Sequence, residues 1–254
     1  MKIIGIIPAR LSSTRLNEKL LIKFNGLEMI EHVRRRAILS NAFDNVYVAT
    51  GDNKIEELIK SKKGNVIKTY QNHDNGTSRA AEAIKKIDAT HIVLIQGDEP
   101  LILPKYLQKI VTYISIYPDF DTWNLTAKLD KSSHIDDCSQ VKCSINEEGR
   151  VLYCFRRSPS YSSTEKQLVY IRKMLGVIAF KRESLLKFSN LTQSKIEKIE
   201  SIEQMRMISN NFSIRSVEII NCLPSVNVYK DIDIVSKFIK GSLEQQKIIK
   251  DITN

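Results

Sequence analysis

A chain of 254 residues, 42% hydrophobic and 27% charged, can bury a substantial core, and no linker, repeat or low-complexity tract divides it, which excludes a disordered or fibrous class. A formal net charge of +10 raises nucleic-acid binding, but the basic runs Arg34 to Arg36 and Lys60 to Lys63 lie among acids and beside no aromatic platform that would stack bases, so no nucleic-acid partner is expected. No segment reaches the roughly 18 to 20 apolar residues that span a bilayer. The opening residues carry no signal-peptide h-region, and four cysteines lack metal or disulfide-framework spacing; both point to the cytoplasm and to reduced thiols.

In chain order, Ile3 to Ile7 is the near-continuous apolar run of a strand buried on both faces of a parallel sheet, and Pro8, lacking an N–H, is expected to end it. The run empties into a polar loop with Arg10, Ser12, Ser13, Thr14, Arg15 and Lys19. Three cations and several hydroxyls at a sheet's carboxyl edge suit a triphosphate. Helix Met29 to Ser40, strand Val46 to Ala49, helix Lys54 to Lys62, strand Val66 to Lys68, helix Thr77 to Ile87 and strand Ile92 to Ile95 continue a βαβ series. Asp52 sits where it would cap the helix beginning near Lys54. The strand ending at Ile95 runs into Gln96-Gly97-Asp98-Glu99-Pro100. A carboxylate at a strand end beside a phosphate loop is a usual way to bring Mg²⁺ to a nucleotide.

After helix Pro104 to Tyr117 the chain becomes strand-rich, with strands at Thr122 to Lys128, Gln140 to Ile145, Val151 to Phe155 and Val169 to Phe180, and a hairpin turn at Glu148-Gly149. Ser194 to Ser209 carries Ile196, Ile199, Ile202, Met205 and Met207 near helical spacing, leaving Glu197, Glu200, Gln204 and Arg206 on other faces. A strand at Ser213 to Ile219 and one C-terminal helix from Lys230 to Ile249 complete the pattern.

The chain resembles the 3-deoxy-manno-octulosonate (Kdo) cytidylyltransferases, or CMP-Kdo synthetases, along nearly its whole length. The resemblance rests on Pro8-Ala9-Arg10-Leu11-Ser12-Ser13-Thr14-Arg15-Leu16 with Lys19, on Val48-Ala49-Thr50 with Asp52, on His73-Asp74-Asn75-Gly76-Thr77-Ser78-Arg79 leading to Ala81-Glu82, and on Gln96-Gly97-Asp98-Glu99-Pro100. Leu152-Tyr153 with Arg156, Leu175-Gly176 and Ile196-Glu197 through Glu203-Gln204-Met205-Arg206 resemble the family's second half. The resemblance implies an α/β Rossmann-like nucleotidyltransferase fold, with a mostly parallel central sheet, helices on both faces and a strand-rich section for sugar binding and dimerisation. One domain, 1–254, is expected: 1–120 mainly for nucleotide, 121–225 mainly for sugar and dimerisation, 226–254 the C-terminal helix.

The implied reaction is attack by the anomeric hydroxyl of a 2-keto-3-deoxy acid sugar, Kdo or a close relative such as 8-amino-Kdo, on the α-phosphorus of CTP, giving a CMP-sugar and pyrophosphate. The resemblance implies Arg10, Lys19 and Asp98 as catalytic residues. Ala9, Arg10, Ser13, Arg15, Lys19, Gly76, Thr77, Arg79 and Gln96 would hold nucleotide, and Gln96, Arg156, Glu200, Glu203 and Gln204 would hold sugar. Asp98 and Asn227 would bind Mg²⁺. His73 stands equally as a ligand contact or as a local hydrogen-bonding group. A homodimer and a product destined for lipopolysaccharide are further implications.

The chain departs from the family pattern at three places. Val226-Asn227-Val228-Tyr229-Lys230-Asp231 stands where the pattern has Val-Asp-Thr-Pro-Glu-Asp, Met174 stands where His commonly precedes Leu-Gly, and Arg157 to Lys166 is shorter and serine-rich. These changes leave two alternatives open. One is a cytidylyltransferase for another acidic sugar or a phosphonate, and the other is a nucleotide-binding homologue with impaired catalysis.

Overall fold

A computed structural model describes residues 1–12, 16–70, 72–129 and 131–253. The elements in chain order are β1 (Ile3–Ala9), a 3-10 turn (Lys19–Leu21), β2 (Lys23–Phe24), β3 (Leu27–Glu28), α1 (Met29–Leu39), β4 (Asn45–Thr50), α2 (Asn53–Ser61), β5 (Asn65–Lys68), α3 (Gly76–Ile84), β6 (His91–Ile95) and α4 (Pro104–Ile116). Then come β7 (Thr122–Ala127), a second 3-10 turn (Ser132–Asp136), β8 (Lys142–Ile145), β9 (Val151–Phe155), α5 (Thr164–Gln167), β10 (Ile171–Lys181), α6 (Arg182–Ser189), α7 (Lys195–Glu200), α8 (Gln204–Ser209), β11 (Ile214–Ile219), α9 (Lys230–Gly241) and α10 (Leu243–Thr253). The chain forms two compact units, Met1–Val111 with Leu223–Asn254, and Thr112–Cys222.

In the first unit β6, β1, β4 and β5 lie side by side, all parallel. Ile3, Ile4, Ile6 and Ile7 are all buried. Successive side chains of a strand point to opposite faces, so both faces of β1 are covered, and α1 and α3 both pack on it. The chain leaves β1 toward β4 on one side, while β6 joins on the other. The carboxyl ends of β1 and β6 therefore flank a topological switch point, the place where open α/β sheets bind ligands.

Pro8 does not end β1. The strand runs through Ala9, and Pro8 is in register with Ala49. Pairing with β6 stops at Ile6 opposite Leu94, so on that side no partner requires an N–H at position 8.

In the second unit β11 runs parallel to β7, β7 antiparallel to β10, and the first residues of β10 antiparallel to β8, which turns into β9. The hairpin turn falls at Gly149, whose φ of +72° favours glycine. Cys143 and Cys154 face each other across this hairpin, both buried. Burial pushes the Cys143 thiol up to about 12 and raises Cys154 as well, so both are inert packing groups.

Two helix readings need correction. Ser194 to Ser209 is two helices, because Ser201 adopts the left-handed conformation with φ 54° and ends α7. The break changes which residues are inside: Glu197 and Arg206 are buried and paired at 2.8 Å, whereas Ile199 is exposed. The C-terminal helix is also two, since Ser242 is extended and its hydroxyl accepts a hydrogen bond from the Gln245 N–H, starting α10. Among the described residues no helix is long and apolar enough to cross a membrane.

Candidate active site

The first unit brings the two strand-end motifs together. Lys19 Nζ donates to Asp98 Oδ2 at 2.5 Å, joining residues 79 apart in the chain, with side chains 13% and 20% exposed. Lys19 opens the 3-10 turn that follows the β1 loop, and this turn is anchored by the Leu21 N–H on the Glu18 carbonyl and by the buried Leu20. Gly97 is placed so that a Cβ would sit 3.0 Å from a Leu20 methyl, which leaves the turn before Asp98 little room for a side chain. The Glu99 N–H closes that turn on the Gln96 carbonyl at 3.3 Å. Gln96 itself is exposed.

Other members of the predicted nucleotide set lie around the end of β1. Ala9 is buried in register with Thr50, and Arg10 is exposed, its guanidinium donating to the His73 carbonyl at 3.3 Å. Ser13 and Arg15, with Thr14, lie outside the described residues. Gly76 opens α3, where a Cβ would fall 2.9 Å from Pro8 Cγ, so the helix start is in close contact with the strand end. Asn75 caps α3, accepting the Ser78 N–H at 2.8 Å. Thr77 is buried in the first turn, and Arg79, buried one residue pair further, donates to Thr69 Oγ1 at 2.5 Å. Burial lowers the Arg79 pKa, and the neighbouring Arg10 lowers it further, partly offset by Asp52 and Glu82.

His73 is a local organiser: Nδ1 lies 3.1 Å from Ser78 Oγ and Nε2 lies 2.8 Å from Glu82 Oε2. Asp52 makes no side-chain cap on α2. Its Oδ2 accepts the Leu11 N–H at 2.9 Å and ties the β1 loop down, giving a loop N–H beyond the end of β1 a partner.

Asn227 is brought to this end of the unit by the Val226 N–H, which donates to the Asp98 carbonyl at 3.1 Å. Its own N–H and that of Val228 donate to Asp231 Oδ2 at 2.8 and 2.9 Å, and its Nδ2 donates to Ser225 Oγ at 3.2 Å. These contacts use the backbone N–H and Nδ2 of Asn227, and its amide oxygen is the atom that would serve as a neutral ligand. One carboxylate and one amide oxygen fit the chemistry of Mg²⁺, which takes one or two protein oxygens and completes its shell from phosphate and water.

The second unit holds Arg156, Glu200, Glu203 and Gln204 of the predicted sugar set, and Gln96 belongs to the first. Arg156 Nε, Nη1 and Nη2 donate to the carbonyls of Glu200, Cys138 and Ser201 at 3.0, 2.8 and 3.2 Å, so three of its five N–H bonds are engaged, two of them at the break between α7 and α8 and one at the segment before β8. Glu200 ends α7, Glu203 precedes α8 and Gln204 opens it. Met174 is buried in β10, opposite Thr126. In the serine-rich segment Ser158 Oγ donates to Gln167 and Ser160 Oγ pairs with the Tyr170 hydroxyl at 2.7 Å.

Two polar residues that sequence reasoning did not single out organise this unit. Buried Asn124 donates through Nδ2 to the carbonyls of Leu125, Leu175 and Val177, spanning the irregular register of β10, and Gln204 Nε2 reaches its Oδ1 at 3.4 Å. Its signal was an amide inside the apolar run Trp123-Asn124-Leu125. Buried Lys142 donates to the carbonyls of Asp137, Gln140 and Arg156; nothing in its local sequence marks it.

Comparison with known proteins agrees with this geometry. The cytidylyltransferase family model matches residues 4–219. The 3-deoxy-manno-octulosonate cytidylyltransferase of Fusobacterium nucleatum is 34% identical over 241 residues, covering 94% of this chain and 98% of that protein. That of Rickettsia prowazekii is 36% identical over 239 residues, covering 92% and 94%. A CMP:2-keto-3-deoxy-manno-octonic acid synthetase solved with CTP superposes with a TM-score of 0.90 at 30% identity, covering 96% of this chain and 100% of that one. With the switch-point loop, the Lys19–Asp98 pair and the β-rich second unit on the same chain, the protein belongs to the 3-deoxy-manno-octulosonate cytidylyltransferases, a family of nucleotidyltransferase enzymes.

Proposed function

We infer that the chain joins CTP to a 2-keto-3-deoxy acid sugar, Kdo or a close relative, releasing pyrophosphate and a CMP-sugar. The observation that carries this reading is the meeting of Lys19 and Asp98 at the carboxyl edge of β1 and β6, where a cationic loop and a carboxylate can share one polyphosphate. No covalent enzyme intermediate is needed. In phosphoryl and nucleotidyl transfer the protein works by positioning the in-line partners and neutralising charge on the phosphate oxygens.

Arg10 and Lys19 donate to the triphosphate, Arg15 supports the loop, and Gly76, Thr77 and Arg79 line the cytosine side. Asp98 and the Asn227 amide oxygen would hold Mg²⁺, which when bound supplies Lewis-acid neutralisation of the phosphate charge. Gln96 serves both substrates. Arg156, Glu200, Glu203 and Gln204 take the sugar, Arg156 through the two N–H bonds left over from its structural contacts, a number that suits one carboxylate. Met174, where the family pattern has His, favours a relative of Kdo carrying a different substituent within the same acid-sugar class. A homodimer and a product used for lipopolysaccharide complete the proposal on the family resemblance, and cytoplasmic residence on the sequence's lack of a signal-peptide h-region and its cysteine pattern.

Pyrophosphate release from CTP over a panel of sugar acids, with ATP, GTP and UTP as controls, tests it. Turnover with CTP and a 2-keto-3-deoxy acid sugar is expected. Turnover only with a phosphonate or sugar-phosphate acceptor, or none with any acceptor, overturns it.

A further inference from the structure

Asp98 is offered to a metal ion, yet its Oδ2 already holds the Lys19 ammonium at 2.5 Å. Both side chains are largely shielded from solvent, so their attraction is screened less than that of a surface pair. Asn227 is neutral, and Oδ2 of Asp231 is taken up by the N–H groups of Asn227 and Val228. The set Lys19, Asp98 and Asn227 therefore sums to zero formal charge, and an arriving divalent cation meets an ammonium on the oxygen it needs.

A triphosphate changes that balance, because its oxygens offer the ammonium charge-assisted hydrogen bonds as strong as the one it leaves. The same oxygens complete a Mg²⁺ shell that two protein oxygens cannot fill. We propose that Lys19 is a nucleotide-operated latch on Asp98, keeping the carboxylate closed to metal until a triphosphate draws the ammonium away, so that cation and nucleotide enter the site together. The proposal rests on the assignment of Asp98 as metal ligand. By linkage the coupling is reciprocal: whatever the nucleotide adds to metal affinity, the metal adds to nucleotide affinity.

Mn²⁺ alone is the probe, with the unbound ion read by electron paramagnetic resonance during titration of nucleotide-free protein. Lys19→Met, which keeps the apolar stem and removes the charge, should bind one Mn²⁺ about tenfold more tightly than wild type, since release of a shielded ion pair is worth roughly that factor. The gain should vanish in Lys19→Met/Asp98→Asn. Lys19→Gln is the second variant, with far-UV circular dichroism checking that each folds. Equal Mn²⁺ affinity of wild type and both folded Lys19 variants overturns the latch, as does a gain that survives loss of the Asp98 charge. The underlying nucleotide reading fails separately, if wild-type protein retains no radiolabelled CTP on dialysis with Mn²⁺ present.

Discussion

Between pH 8 and 5, acid should weaken the first unit through His32. This imidazole is buried on α1 and its Nε2 lies 2.7 Å from the Phe24 carbonyl, fastening the β2–β3 hairpin that follows the Lys19 turn. Burial holds its pKa down at about 4 against an ordinary 6.5, with Arg36 and Arg35 opposing protonation further and the Phe24 and Leu27 carbonyls partly offsetting them. Because the folded value is the lower one, the unfolded chain binds more protons between these limits, and stability falls as pH falls from 6.5 toward 4. At pH 5 the unfolded histidine is almost fully charged and the folded one about a tenth charged, a loss of about 2 kcal/mol relative to pH 8 that approaches about 3 kcal/mol below pH 4. That is a large share of a typical 5 to 15 kcal/mol of domain stability. Urea unfolding followed by far-UV circular dichroism at pH 8, 6.5, 5.5 and 5, on wild type and His32→Gln, measures it. The variant keeps a neutral donor and should lose about 2 kcal/mol less between pH 8 and 5. Parallel losses in the two proteins would refute the reasoning.

Asp98→Asn should cut kcat for pyrophosphate release by roughly a hundredfold or more and raise the CTP KM as well, since on the proposed assignment the carboxylate would act through the metal and metal and nucleotide are coupled; a change confined to KM contradicts the assignment. Asn227→Asp restores a charged ligand and should lower the Mg²⁺ concentration for half-maximal turnover about three- to tenfold, and an unchanged requirement shows that the side chain faces away from the ion. Gly76→Ala sets a methyl 2.9 Å from the rigid Pro8 ring, so α3 must shift; about 1 to 2 kcal/mol of stability and about tenfold in CTP KM should be lost. Asp52→Ala releases the Leu11 N–H and should raise the CTP KM severalfold while kcat stays near wild type, a split read by steady-state kinetics.

Strand β1, its polar exit loop and the Gln96 to Pro100 turn were legible because each is a local signal: a buried parallel strand must be apolar throughout, and phosphate chemistry needs cations and carboxylates at strand ends. The same local reading misjudged Pro8, whose tolerance inside β1 depends on where β6 stops pairing, and Asp52, whose partner is Leu11 rather than its own helix. It also joined α7 to α8. Periodicity cannot see the left-handed Ser201 that turns Glu197 inward and leaves Ile199 outside, nor the carbonyls of Glu200 and Ser201 that Arg156 holds.

By itself, then, the order of residues determined the alternating βαβ plan, the residue types at the nucleotide end and the family. Only the tertiary structure decided that Lys19 closes on Asp98 across 79 positions, that residue 227 is tied to the same turn through the Val226 N–H, and that Asn124 and Lys142 stitch the second unit from within. Contacts between distant segments leave no periodic trace in either partner, because what fixes them is the shared geometry of the sheet and its loops.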